Sequence, residues 1–260
     1  MSRVHSISYR RRMLNLVYAL AAGILVTVIV KVAGFSLIAG IVPGTIVFLG
    51  LYVVLARRTF MKVQGVMEQV KKEFESMPPN PKEQKVKAEK VIKIIEAALP
   101  YGKEQFLVES ELHAQIGMIH HLFKNTDAAM ASFAKTAPRS YLARAMQGAI
   151  YFQRKDFEAM RKSFEDAVKH GKKDGMVWAA YAWCLQANRD VDGALKVLAR
   201  SVAENPSDEK LKTALSALQN DKKLKMKAWE PAWWQFGLET PPMQQPQFVG
   251  GGRRGRFMRR

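Results

Sequence analysis

Residues 13–56 read MLNLVYALAAGILVTVIVKVAGFSLIAGIVPGTIVFLGLYVVLA, a run of 44 residues in which only Lys31 is charged. At 1.5 Å per residue one continuous helix of that length spans about 66 Å, roughly two crossings of a ~30 Å hydrocarbon core. The pattern breaks at Lys31-Val-Ala-Gly-Phe-Ser36, where a charge and a glycine interrupt the apolar sequence. A reversal there predicts two antiparallel helices, over about 14–30 and 37–55, with the Lys31 ammonium reaching out to water at the far interface.

The flanks orient the pair. Arg10, Arg11 and Arg12 precede the first helix and Arg57, Arg58 and Lys62 follow the second, while the short loop carries only Lys31. The excess of basic residues on the cytoplasmic side of membrane proteins then places both ends in the cytoplasm, and the expected location is a bacterial inner membrane. Ala19 with Gly23, and Gly40 with Gly44 in GxxxG spacing, permit close backbone approach. Pro43 removes one backbone donor and is expected to kink the second helix. A basic stretch before an apolar run also begins signal peptides and organelle-targeting segments; the long first run and the immediate second one argue for an anchor instead.

Charge elsewhere is uneven. Of the formal +18, residues 1–58 supply seven Lys or Arg with no acid, and residues 250–260 supply five Arg with no acid, leaving +6 for the middle of the chain. That distribution argues against a domain with a nucleic-acid-binding face. It fits basic ends that meet anionic lipid or fix topology. One cysteine, Cys184, excludes an intrachain disulfide and sits in an apolar helical stretch, as a buried structural thiol does.

Past Arg58 the pattern turns amphipathic. Residues 59–77 extend the second helix until Pro78-Pro79-Asn80-Pro81 ends it, and residues 82–99 form another helix with Val86, Val91, Ile94, Ile95 and Ala98 near helical spacing. From Glu111 the chain repeats. Gly117, Gly148 and Ala182 are separated by 31 and 34 residues; Ala129, Met160 and Ala194 keep the same intervals, and so do Phe133, Phe164 and Leu198. Three tracks in step indicate an internal repeat.

The third unit, Trp178-Ala-Ala-Tyr181-Ala182-Trp-Cys-Leu185 followed by Ala194, Leu198, Val202 and Pro206, resembles the tetratricopeptide repeat family. The unit through Gly148, Tyr151, Lys155-Asp156-Phe157, Phe164 and Ala167 is similar. The first, around Gly117, departs from the pattern, with His113 and His120 where aromatics are usual and Pro138 early. The resemblance covers residues 111–206 and implies an all-α fold: a transmembrane helical hairpin followed by a helical solenoid of about three repeats with a capping helix over 208–219. The organisation expected is a basic N-terminus (1–12), the hairpin (13–56), a helical connector (57–100), the repeat domain (101–220), a Trp-rich capping or interfacial helix (221–238) and an Arg-rich tail (239–260).

The resemblance also implies a concave face, lined here by Met118, His121, Leu122, Leu142, Ala149, Phe152, Met176, Trp183 and Gln186. So apolar a groove suits an amphipathic helix or an extended apolar peptide of a protein partner. It lacks the basic clamp with which some relatives hold a terminal carboxylate. The competing occupant is the chain's own C-terminal segment, where Trp229 and Trp233, four residues apart, would share a helix face. Arg253, Arg254, Arg256, Arg259 and Arg260 fit anionic lipid headgroups or, less economically, nucleic acid. Neither a catalytic constellation nor a metal-ligand spacing nor a phosphate-binding loop is present: His113, His120 and His121 lack HExxH or cysteine companions. The expected role is a membrane-anchored scaffold or adaptor without cofactors. The alternatives are a membrane-complex subunit acting through its hairpin and a tether for nucleic acid.

Overall fold

A computed structural model describes residues 13–239; Arg10, Arg11, Arg12 and the five tail arginines lie outside the described residues. Among the described residues all regular structure is helical. Helix α1 (Leu14–Val32) and helix α2 (Leu37–Glu75) are joined by a tight reversal, in which Gly34 takes φ +91° and the Ser36 hydroxyl accepts the Ala39 N–H at 3.3 Å. Both helices are long and apolar enough to cross a membrane. Their outer surfaces are bare apolar side chains, with Val32 82% and Ile38 75% exposed.

Small residues hold the two together. Ala19 and Gly23 of α1 and Gly40 and Gly44 of α2 are buried against each other. A Cβ added to Gly23 would stand 2.8 Å from the Gly44 carbonyl oxygen and 2.9 Å from Phe48 Cβ. The Thr27 hydroxyl bridges the seam, 3.0 Å from the Gly23 carbonyl and 3.2 Å from that of Gly40. The GxxxG pair is thus consumed inside the hairpin, where backbones must approach without side chains between them.

Helix α2 passes through Pro43 and continues beyond Arg57 to Glu75. No proline lies between Pro43 and Pro78 to stop the backbone ladder, so the expected boundary at 56/57 falls within one helix. Its second half turns Val63, Val66, Met67, Val70 and Phe74, at three- and four-residue spacing, onto helix α3 (Pro81–Ala98), which Asn80 caps by accepting the Lys82 N–H. Val91 and Ile95 of α3 share that core with Leu112, Ile116 and Ile119 of helix α4 (Val108–Leu122). The segment 57–100 is therefore no free connector. It is packed into the first helix of the domain that follows.

The remaining helices come in consecutive packed pairs: α4 with α5 (Thr126–Phe133), α6 (Tyr141–Gln153) with α7 (Phe157–His170), and α8 (Gly175–Ala187) with α9 (Val191–Glu204), followed by α10 (Glu209–Gln219). The small and aromatic tracks of the sequence meet in space. A Cβ on Gly117 would lie 2.5 Å from the Phe133 ring, and one on Gly148 would lie 2.6 Å from the Phe164 ring. In the first two pairs the ring of the second helix thus packs directly against the glycine of the first; the third pair has Ala182 and Leu198 at these places. A further periodic feature sits in the turns: Lys124, Lys155 and Arg189, again 31 and 34 residues apart, take φ of 60°, 61° and 63°. Each is followed by an N-cap, Asn125, Asp156 or Asp190, whose side chain accepts the N–H three residues on.

Residues 221–238 do not form the expected helix. They make two short 3-10 turns, Met226–Trp229 and Ala232–Phe236, because Pro231 cannot continue a helical ladder between them. Trp229 and Trp233 accordingly share no helix face.

Candidate functional site

The first helices of the three pairs end on one side of the domain. There His121, Phe152, Trp183 and Gln186 come together, and residues 222–238 lie across them, while Met176, in the first turn of α8, meets the segment through Gln235. The contact starts beside α10, where the Gln186 carboxamide donates to the Lys222 carbonyl at 3.3 Å and accepts the Leu224 N–H at 2.9 Å. It ends beside α4, where His121 Nε2 donates to the Phe236 carbonyl at 2.8 Å, next to Gln153 Nε2 donating to the Gly237 carbonyl at 2.8 Å. Three side chains of the face thus hold the main chain of the segment, not its side chains.

Aromatic anchors fill the space between. Trp233 is 1% exposed and Phe236 fully buried, with Leu224 and Met226 also buried. Trp233 meets Trp183 edge-on at 5.4 Å, and Phe152 backs Trp183 at 5.7 Å, an edge-to-face series favoured by the ring quadrupoles. The Trp233 indole N–H is satisfied by Glu239 at 2.7 Å, and Gln235 reaches the Met176 sulfur at 3.7 Å. Gly237 takes φ +61° beside His121, where an added Cβ would lie 3.2 Å from Nε2.

Of the residues expected to line a groove, His121, Trp183 and Gln186 are thus covered by the chain's own residues 222–238, with Phe152 behind Trp183. Met118 and Leu142 are half-buried against the main core, and Leu122, 59% exposed, stays outside the contact. Gln153 carries a contact that sequence reasoning missed. Its position one residue after Phe152 gave no periodic signal. His121, Phe152 and Gln186, by contrast, stand 31 and 34 residues apart, so the repeat itself brings them to equivalent places.

Burial sets the protonation of two titratable groups, His121 on this face and Cys184 in the core behind it. Burial pushes the pKa of His121 down, and its bond to the Phe236 carbonyl only partly opposes this. A carbonyl can only accept, so Nε2 carries the proton, and the buried Nδ1 meets no partner. Burial likewise pushes the Cys184 thiol well up, leaving it an inert core group.

A second polar cluster joins the hairpin to the domain. Asn15, buried near the start of α1, donates through Nδ2 to the Thr59 hydroxyl at 3.0 Å, and its backbone N–H donates to the Glu104 carbonyl at 3.1 Å. Thr59 donates to the Glu104 carboxylate at 2.8 Å, and Lys62 pairs with the same carboxylate at 2.9 Å while lying 5.0 Å over the Tyr101 ring. Gln105 donates to the Tyr52 hydroxyl at 3.0 Å. Burial opposes ionisation of Glu104, but the bonds from Lys62 and Thr59 outweigh it and hold its carboxyl below the usual range. These bonds tie the residues 104–105 to both hairpin helices, so the domain is braced against the hairpin and not merely strung from it.

Compared with family models, curated proteins and solved structures, the chain matches none.

Proposed function

We propose that the chain is a membrane-anchored scaffold of the tetratricopeptide type that recruits a protein partner by binding an apolar peptide on its concave face, with residues 222–238 as the resident occupant. The observation that carries this reading is the manner of holding: Gln186, Gln153 and His121 bond the main chain of the segment while Trp233 and Phe236 enter apolar sockets. Main-chain bonds are available from any peptide, and aromatic sockets select which peptide fits. A partner segment with two similarly spaced aromatic residues competes with the resident one, and its apparent affinity is reduced by the fraction of time that the face is closed.

The anchor in this reading is α1 with the first half of α2, whose bare apolar surfaces suit lipid. Arg57 and Arg58 then put the domain on the cytoplasmic side, in a bacterial inner membrane. The small-residue seam is used within the hairpin, which leaves the alternative of a subunit acting through its hairpin without that surface.

The test is competition. A labelled peptide of residues 222–238 is added to the full chain and to the Trp233→Ala variant, whose own segment is loosened. Stronger binding to the variant, lost again with Phe152→Glu and Trp183→Glu, supports the reading; equal weak binding to all three sinks it. Crosslinking from intact membranes with the same variants then identifies the partner.

A further inference from the structure

Beside the joint, α2 and residues 105–108 enclose a second apolar feature, a recess of about 640 Å³ that is separate from the peptide face. Tyr52, Val53, Phe60, Phe106, Leu107 and Val108 line it, and Arg57 stands at its rim, with Glu111 also at the edge, where it accepts from Gln115 at 2.9 Å. The apolar side chains are turned outward: Phe60 is 58% exposed and Leu107 47%. Leu107, at the start of α4, holds φ +69°, a left-handed conformation uncommon for leucine.

The height of this recess follows from the bonds around it. From Leu37 to Ala56 the second helix rises about 30 Å, the thickness of a hydrocarbon core. Gln105 is bonded to Tyr52, within that stretch, and Glu104 to Asn15, near the start of α1. Residues 104–107 are thereby pinned at the level where both apolar helices leave the bilayer, with Arg57 where headgroup phosphates lie. An outward apolar recess at that depth, continuous with the lipid-facing surface of α2, meets acyl chains.

We propose that this recess is a binding site for an anionic phospholipid of the leaflet nearest the domain, taking an acyl chain against Val53, Phe60 and Leu107 and its phosphate at Arg57. The inference rests on the membrane reading of the hairpin. Bound there, the lipid covers side chains that water would otherwise meet, and the domain is seated on the bilayer surface instead of standing away from it.

The experiment uses the full chain in vesicles of phosphatidylcholine with a quarter phosphatidylglycerol. An environment-sensitive dye is attached at Leu107→Cys and, separately, at Ile46→Cys in the span; Cys184, fully buried, does not react. The expected result is quenching of the Leu107 dye by nitroxides near the top of the acyl chains and not by aqueous iodide. Nitroxide-labelled phosphatidylglycerol should quench it more than the labelled phosphatidylcholine does, and Arg57→Gln should reduce that preference about fivefold, the effect of one basic residue at an anionic surface. Iodide quenching at both positions overturns the membrane reading itself. Iodide quenching at Leu107 alone, with Ile46 in lipid, overturns only the lipid site. Quenching of Leu107 by neither agent means that another part of the chain covers the recess, and likewise overturns it. Equal quenching by the two lipids, unchanged by Arg57→Gln, refutes the anionic headgroup.

Discussion

Trp233→Ala is the sharpest perturbation of the C-terminal segment. The ring is 1% exposed, packed edge-on against Trp183 and tilted against Phe236, and its N–H is bonded to Glu239. Truncating a buried Trp to Ala costs about 3–5 kcal/mol, and the neighbouring rings cannot close the gap without abandoning their own contacts. Beyond the rings, the segment is held by two hydrogen bonds at each end, worth ~1 kcal/mol apiece, and it packs on the helices without being part of their ladders, so most of this loss appears as local release and not as global unfolding. At 1.4 kcal/mol per tenfold, even the lower bound raises the released population at least about a hundredfold. Limited trypsin digestion reads this directly, since Lys222, Lys223, Lys225 and Lys227 lie in the segment and cleavage tracks the open population when reclosing is fast. The expected outcome is cleavage at these lysines faster by two orders of magnitude, with helical circular dichroism unchanged. Cleavage faster by less than tenfold, or loss of helicity in step with cleavage, would refute the idea of a separately held segment.

Other perturbations test other parts of the molecule. His121 has its pKa lowered by burial, so its contribution to stability is complete above its unfolded pKa, about 6.5, and is lost as pH falls through that value toward the lower folded one. Protease sensitivity of the segment should accordingly rise on acidification, and His121→Gln, which keeps a donor for the Phe236 carbonyl without titrating, should remove much of that rise. Gly44→Leu drives a side chain into Thr27 and the Gly23 carbonyl, so helices α1 and α2 should separate and a crosslink between cysteines placed across the seam should be lost. Thr59→Val removes the acceptor of Asn15 and a donor of Glu104 at the joint, which should cost about 1–3 kcal/mol and broaden the distance distribution between spin labels on hairpin and domain. Gly148→Leu would push against the Phe164 ring and should lower the thermal midpoint of the whole domain, measured by circular dichroism.

The periodic residues carried much of the architecture in plain view. Gly117 with Phe133 and Gly148 with Phe164 are close pairs dictated by local geometry: a small residue on one helix makes room for a ring on the next, so the spacing in sequence is the spacing of the contact. The apolar run with one lysine told of two helices for the same reason, since composition over twenty residues suffices to make a helix long and apolar enough to cross a membrane. Even the turn residues Lys124, Lys155 and Arg189 repeat with their Asx caps, a signal present in the sequence and recoverable from it.

What the sequence by itself determined, then, is what short-range periodicity and composition encode: an all-helical chain, two helices apolar enough to cross a membrane, and a set of helix pairs in step. Only the tertiary structure decided where residues 222–238 go and how the hairpin meets the domain. His121 and Phe236 are 115 residues apart, and the bond between them is to a carbonyl that any residue would offer, so it leaves no mark on side-chain identity. Asn15, Thr59 and Glu104 are ordinary polar residues until the fold buries them together; their partners are fixed by three-dimensional proximity, which no pattern within one helix records.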